Sequence, residues 1–159
     1  MTTTPSLIGS SDMSMRQMVQ LSGLSEHALR FYEKVGLVGP IARDASSGHR
    51  HYDEGDAIQI VTIACLRATG MSIDEMRRYF ELNEIGLPAA AEQIELFEQH
   101  KASVRQQITR LEHQLEYLDG KVAYWRALER GDQVQAKAIG TRNLEKALEI
   151  NNEIKQENA

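Results

Sequence analysis

Between Ile94 and Trp125 apolar residues recur at alternating spacings of three and four: Ile94, Phe97, Lys101, Val104, Ile108, Leu111, Leu115, Leu118, Val122 and Trp125. Nine of these ten positions are apolar, a heptad seam sustained over more than four heptads. A helix over residues 89–128, rising about 1.5 Å per residue, would be roughly 60 Å long. A small domain cannot cover a stripe of that length alone. One reading is a helix packed along its own domain. The stronger is a two-chain coiled coil, with Ile94, Phe97, Val104, Ile108, Leu111, Leu115, Leu118, Val122 and Trp125 at a homodimer interface. Lys101 on the seam and Gly120 within the helix are imperfections that set register or a bend.

A chain of 159 residues then has room for one small domain ahead of that helix. With 42% hydrophobic and 26% charged residues it is globular rather than disordered. No apolar run reaches membrane-spanning length. The first dozen residues are small and polar, unlike a secretory leader, and read as a loose tail. Cys65 is the single cysteine, which rules out an intrachain disulfide and a multi-cysteine metal site, and fits a reducing cytoplasm. No cofactor or metal is expected. The expected division is a tail over 1–12, a compact front domain over 13–82, a linker and dimerisation helix over 83–130, and a carboxyl-terminal tail over 131–159.

Local signals organise the front domain. Ser14 with Gln17 is a capping-box spacing that opens a helix carrying Met15, Met18 and Val19 on one face. Gly23 breaks it, and Ser25 caps a second helix with Ala28, Leu29 and Tyr32 at helical spacing, ended by Gly36. Two short helices joined by a tight glycine turn are a helix-turn-helix signal. Residues 37–52 change character: Ser46-Ser47-Gly48 is turn chemistry between flanks that read as short strands, a β-hairpin wing. Asp53 and Asp56 open a third helix with Ala57, Ile60, Ile63 and Leu66 on one face. Gly70 stops it, and Ser72 with Glu75 is a second capping box ahead of Ile73, Met76 and Phe80. After Gly131, Leu144, Ala147, Leu148 and Ile154 form a sparse helical pattern that docks on the coiled coil or stays partly disordered. The fold class expected is mainly α: a winged helix-turn-helix with a small β-hairpin, followed by a long dimerisation helix.

Net charge is −5, but its distribution is uneven. From Arg16 to Tyr52 five basic residues face three acidic ones, an excess of +2, and the remainder carries −7. Three of five histidines, His27, His49 and His51, fall in the basic part. A local positive excess suits phosphate contact. Ser25, His27, Arg30, Tyr32 and Lys34 are the candidates on the second helix, whose amino-terminal half is the part that enters a major groove. Arg43, Arg50, His51 and Tyr52 are the candidates on the wing, and Arg16 on the first helix. The alternative is that the charges are solvated and Tyr32 is core.

The run Leu29-Arg30-Phe31-Tyr32-Glu33-Lys34-Val35-Gly36-Leu37, the wing Ser47-Gly48-His49-Arg50-His51-Tyr52-Asp53, and residues 56–76 with Gly70-Met71-Ser72-Ile73 resemble, in order, the MerR family of transcription regulators. The long helix completes the likeness, which spans about residues 13–128. The resemblance implies a homodimer joined by an antiparallel coiled coil. It implies binding to a pseudo-palindromic operator between the two elements of a promoter, which the regulator bends and untwists for RNA polymerase. On matching positions it implies DNA contacts from Arg30, Tyr32, Arg50 and Tyr52, with Arg16 and Arg43 as additions. Phe31 departs from the pattern, standing where a second tyrosine is common.

The family's metal-sensing cysteines have no counterpart here. Cys65, in Ala64-Cys65-Leu66-Arg67, resembles the setting in a subgroup that answers aldehydes or other thiol-reactive electrophiles. A small packed side chain is the alternative for this cysteine. No Ser/His/acid group, metal-ligand spacing or phosphate-cradling loop suggests an enzyme. His100 and His113 read as solvated. The competing class is a coiled-coil adaptor that binds protein without specific DNA affinity.

Overall fold

The computed structural model describes residues 12–157. The tail expected over 1–12 therefore lies outside the described residues, Asp12 excepted. The elements run β1 (Met13–Ser14), α1 (Met15–Ser22), α2 (Glu26–Lys34), β2 (Ala42–Arg43), β3 (Arg50–Tyr52), α3 (Glu54–Ala68), α4 (Ile73–Ile85), a 3-10 turn (Leu87–Ala89), α5 (Ala90–Glu129) and α6 (Gln133–Glu157). The fold is mainly α with one small sheet. The chain divides into two compact units, Met1–His100 and Lys101–Ala159. No described helix is long and apolar enough to cross a membrane.

In the first unit the helix starts follow the local chemistry. Ser14, Asp53 and Ser72 each accept from the backbone N–H three residues on, and Gln17, Asp56 and Glu75 reach back to close the box. Gly23 terminates α1 at φ 70°, a left-handed conformation natural to glycine. The sheet has three antiparallel strands in the order β1-β3-β2, with Met13 opposite Tyr52 and Ala42 opposite His51. The sequence points to β2 and β3 as a hairpin; β1 is an addition that fastens the wing to the start of α1. Met18, Leu29, Tyr32, Tyr52, Ile60 and Met76 meet in one core.

The compact unit extends to His100. Leu96 and Phe97, on the first turns of α5, pack against its core, and Phe97 lies edge-on to Tyr79 with ring centroids 5.5 Å apart. Phe97 thus fills a seam position and also packs within its own domain. His100 is buried rather than solvated: its Nε2 lies 3.0 Å from the Thr69 hydroxyl and its Nδ1 3.4 Å from Glu75. Ser72 holds the Glu75 carboxyl below its usual pKa through its hydroxyl and N–H.

In the second unit α6 folds back along α5. The sparse pattern after Gly131 is a continuous helix of 25 residues. The two helices touch through Lys146 and Glu116 (2.7 Å) and through His113 and Glu153 (2.8 Å). Asn143, buried, inserts beside Gly120; in the orientation that satisfies its amide, Nδ2 donates to the Tyr117 carbonyl and Oδ1 accepts from the Lys121 N–H, each at 3.2 Å. A Cβ at position 120 would overlap that amide. Gly120 is therefore a notch that admits Asn143, and α5 continues through it. Along the rest of α5 the seam is open: Ile94, Ile108, Leu111, Leu115, Leu118, Val122 and Trp125 are exposed, and Val104 is half-buried.

Gly120→Ala is expected to lower stability by about 1–3 kcal/mol through this overlap and to raise amide exchange along α6. Asn143→Ala, which removes the plug without the clash, should loosen α6 less. Exchange in α6 indistinguishable from wild type in Gly120→Ala would contradict the notch.

Candidate nucleic-acid interface

The outer face of α2 is assembled by its cap and its amphipathic spacing. Ser25 Oγ accepts from the Ala28 N–H at 3.1 Å, which starts the helix and leaves its amino-terminal end outward. Leu29 and Tyr32 turn inward, so Glu26, His27, Arg30, Phe31 and Lys34 share the solvent side. Arg30 meets Glu26 at 3.2 Å, an exposed pair one helical turn apart that is worth little and opens readily. On α1, Arg16 is exposed as well.

The wing is built on one acidic side chain. Asp44 Oδ1 accepts from the N–H and hydroxyl of Ser46 (2.9 and 2.6 Å) and from those of Ser47 (2.7 and 3.0 Å). These bonds, the Ser46 hydroxyl first, hold the Asp44 carboxyl far below the usual carboxylate range. Asp44 and His49 close the turn through their backbones at 2.8 Å. His51 lies 4.0 Å from Asp44.

Glu33 ties wing to helix. Its Oε2 accepts from Arg50 Nε at 2.7 Å, a partly buried contact, and its Oε1 stands 3.9 Å from Arg43. The exit of α2 is held from α4: Arg77 donates to the Val35 carbonyl at 3.3 Å and pairs with Asp74 at 2.7 Å. Arg30, Lys34 and Arg50 line a concavity of about 630 Å³ together with Glu33, Val38 and Pro40. Glu33 neutralises Arg50 there, which leaves Arg30 and Lys34 as the cations that suit an anion such as a phosphate.

The structure corrects two expected DNA contacts. Tyr32 is 4% exposed and Tyr52 2%. Both rings belong to the core, and the Tyr52 hydroxyl lies against Met15 Sδ at 3.3 Å. Burial pushes the Tyr52 hydroxyl pKa up. Of the adjacent aromatic pair, Phe31 is the outward one, at 41% exposure. Ser25, His27, Arg30, Lys34, Arg16 and Arg43 are on the surface; Arg50 and His51 are half-covered. Sequence reasoning missed Glu33 and Arg77 as positioning groups. Their partners stand 17 and 42 residues away, beyond any local pattern. Cys65 is exposed on α3, so packing inside its own chain does not account for it.

Known proteins resemble this chain over the same region. Residues 13–82 match the MerR helix-turn-helix family regulatory protein, and residues 59–121 match the family described as MerR, DNA binding. An uncharacterized HTH-type transcriptional regulator of Haemophilus influenzae is 34% identical over 119 residues, covering 75% of this chain and 82% of that protein. The HTH-type transcriptional regulator CueR of Vibrio cholerae is 30% identical over 122 residues, 76% of this chain and 84% of that one. The crystal structure of HiNmlR, described as a MerR family regulator lacking the sensor domain and bound to promoter DNA, is similar with a TM-score of 0.65. It shares 31% identity over 81% of this chain and 96% of that one.

Two outcomes follow for the wing. Glu33→Gln should cost about 1–2 kcal/mol in denaturant unfolding and speed amide exchange in β2 and β3; unchanged wing exchange would show that Glu33 braces nothing. Because Asp44 is more acidic folded than unfolded, its contribution is present above the ordinary carboxylate pKa of about 3.9 and is lost only as pH falls through the lower folded value. The Ser46 and Ser47 amide resonances should therefore hold steady through about pH 4. A midpoint at the ordinary value would contradict the turn described.

Proposed function

Because the chain belongs to the MerR family of helix-turn-helix transcription regulators, we propose that it binds promoter DNA as a homodimer through α2 and the wing. The observation that carries this assignment of residues is the outward cationic set Arg16, Arg30, Lys34 and Arg43, gathered on the unit whose α2 also presents Phe31. Arg30, His27 and Ser25 are placed to meet base edges in a major groove. Phe31 offers an apolar surface where a phenol would donate to a phosphate, so this contact is van der Waals in kind. Lys34, Arg16 and Arg43 neutralise phosphates. Arg50, engaged by Glu33, positions the wing, and His51 flanks it.

The exposed seam of α5 from Ile108 to Trp125 supports a coiled coil with a second copy. Two linked heads suit a dyad operator, and deformation of the promoter spacer is the proposed means of control, with RNA polymerase as the indirect partner. Cys65 supports a second reading for the input: its exposure on α3 leaves the thiol open to electrophiles. In that reading Cys65→Ser keeps operator binding and loses the response to aldehyde; an unchanged response removes it.

Selection of bound duplexes from a random pool, followed by footprinting, tests the whole assignment. The expected result is a two-fold symmetric site across a promoter spacer. Arg30→Ala should weaken binding by about 1–3 kcal/mol and relax preference at one position in each half-site. Lys34→Ala should weaken all sequences alike and lower the salt slope by about one. No enrichment of any sequence over the starting pool, with salt-independent affinity, would return the chain to the adaptor class.

A further inference from the structure

Both family models end before α6, at residue 121 or earlier, so the role of α6 has to be read from the molecule itself. Its contact with α5 uses small and polar groups. Ala136 and Asn143 are buried, Gly140 lies against the Tyr124 ring, and Lys146 reaches Glu116. Of its large apolar residues, Ile139 and Ile150 are half-buried, whereas Leu144 and Leu148 are not. Leu144, one residue past Asn143 and so about 100° round the helix, is 62% exposed, and Leu148, one turn on, is 57% exposed. One of these leucines borders the α5 seam. Leu148 and Leu118 line the same concavity of about 600 Å³, together with Tyr117 and Ala147. Leu118 is a position of the α5 seam, whose neighbours Leu115 and Val122 are also exposed. The apolar surface therefore passes from one helix to the other through Leu118, Ala147 and Leu148, with Gln114 and Asn151 on the same lining.

We propose that α6 is part of the dimer interface: Leu144 and Leu148 widen the α5 seam into a two-helix surface that a second copy of this chain covers. The inference rests on the homodimer reading above and goes beyond it, because a coiled coil of α5 alone leaves α6 outside the interface. Continuity with the seam argues for the second copy as occupant. A surface that closes on itself in a two-fold dimer must be self-complementary, and a leucine-rich face meeting its own duplicate satisfies that. The notch at Gly120 fixes the register between the helices, so Leu148 stays beside Leu118 rather than sliding past it.

The test is the monomer–dimer equilibrium of the full chain by sedimentation equilibrium, for wild type, Leu144→Glu/Leu148→Glu, Leu118→Glu and Val134→Glu. Circular dichroism checks that each stays helical, and Leu144→Ala/Leu148→Ala stands in if the charged pair does not fold. The α6 double variant is expected to raise the dissociation constant by roughly 10- to 100-fold. Val134→Glu, exposed in the first turn of α6 away from the concavity, is expected to leave it unchanged. A dimeric wild type with an unaltered double variant overturns this inference alone, provided Leu118→Glu dissociates it. An equal loss in Val134→Glu overturns it too, since the effect would then be general charge repulsion. A small apolar ligand that occupies the concavity without changing the equilibrium likewise overturns it. A monomeric wild type overturns the dimer reading on which it rests.

Discussion

A helix of 40 residues exposes more apolar surface than so short a chain can cover, and that imbalance governs the molecule. The first turns of α5 are covered from within, because Leu96 and Phe97 sink into the core of the front unit. The second unit covers another face of α5 with α6. What remains from Ile108 to Trp125 is a strip of leucine, isoleucine, valine and tryptophan in water. Water disfavours such a strip by roughly 25 cal/mol per Å², so the chain is built to be completed by association.

The front unit shows a different economy. Its core is small, yet it positions a helix and a two-stranded wing that are separated by a loop. Two tyrosines bridge this gap from inside, one on α2 and one on β3, while Glu33 bridges it from outside by engaging Arg50. The division of labour is chemical. Aromatic rings give area without conformational freedom, and a carboxylate–guanidinium contact gives direction. Together they leave the remaining cations of α2 and the wing facing outward.

The parts of this arrangement that are local were legible in the sequence. The boxes Ser14/Gln17 and Ser72/Glu75 are spaced three apart, and the structure forms both. The α5 seam was legible because its period repeats many times. The strand β1 was not: two residues carry no alternation, and their partner strand lies far along the chain. The rings of Tyr32 and Tyr52 were misplaced because a tyrosine has both an apolar body and a polar tip, and only packing decides which one counts. The second helix of the hairpin was under-read for a similar reason. Its packed face includes alanine, glycine and asparagine, residues that a search for large side chains passes over.

Leucine faces are forgiving, and two helices joined only by them can slip by a turn with little change in energy. The amide of Asn143 seated against the backbone of α5 removes that freedom, since it fits at one glycine and nowhere else along the neighbouring turns. The hairpin of the second unit is thus keyed at one point, and the register of α6 on α5 follows from that key.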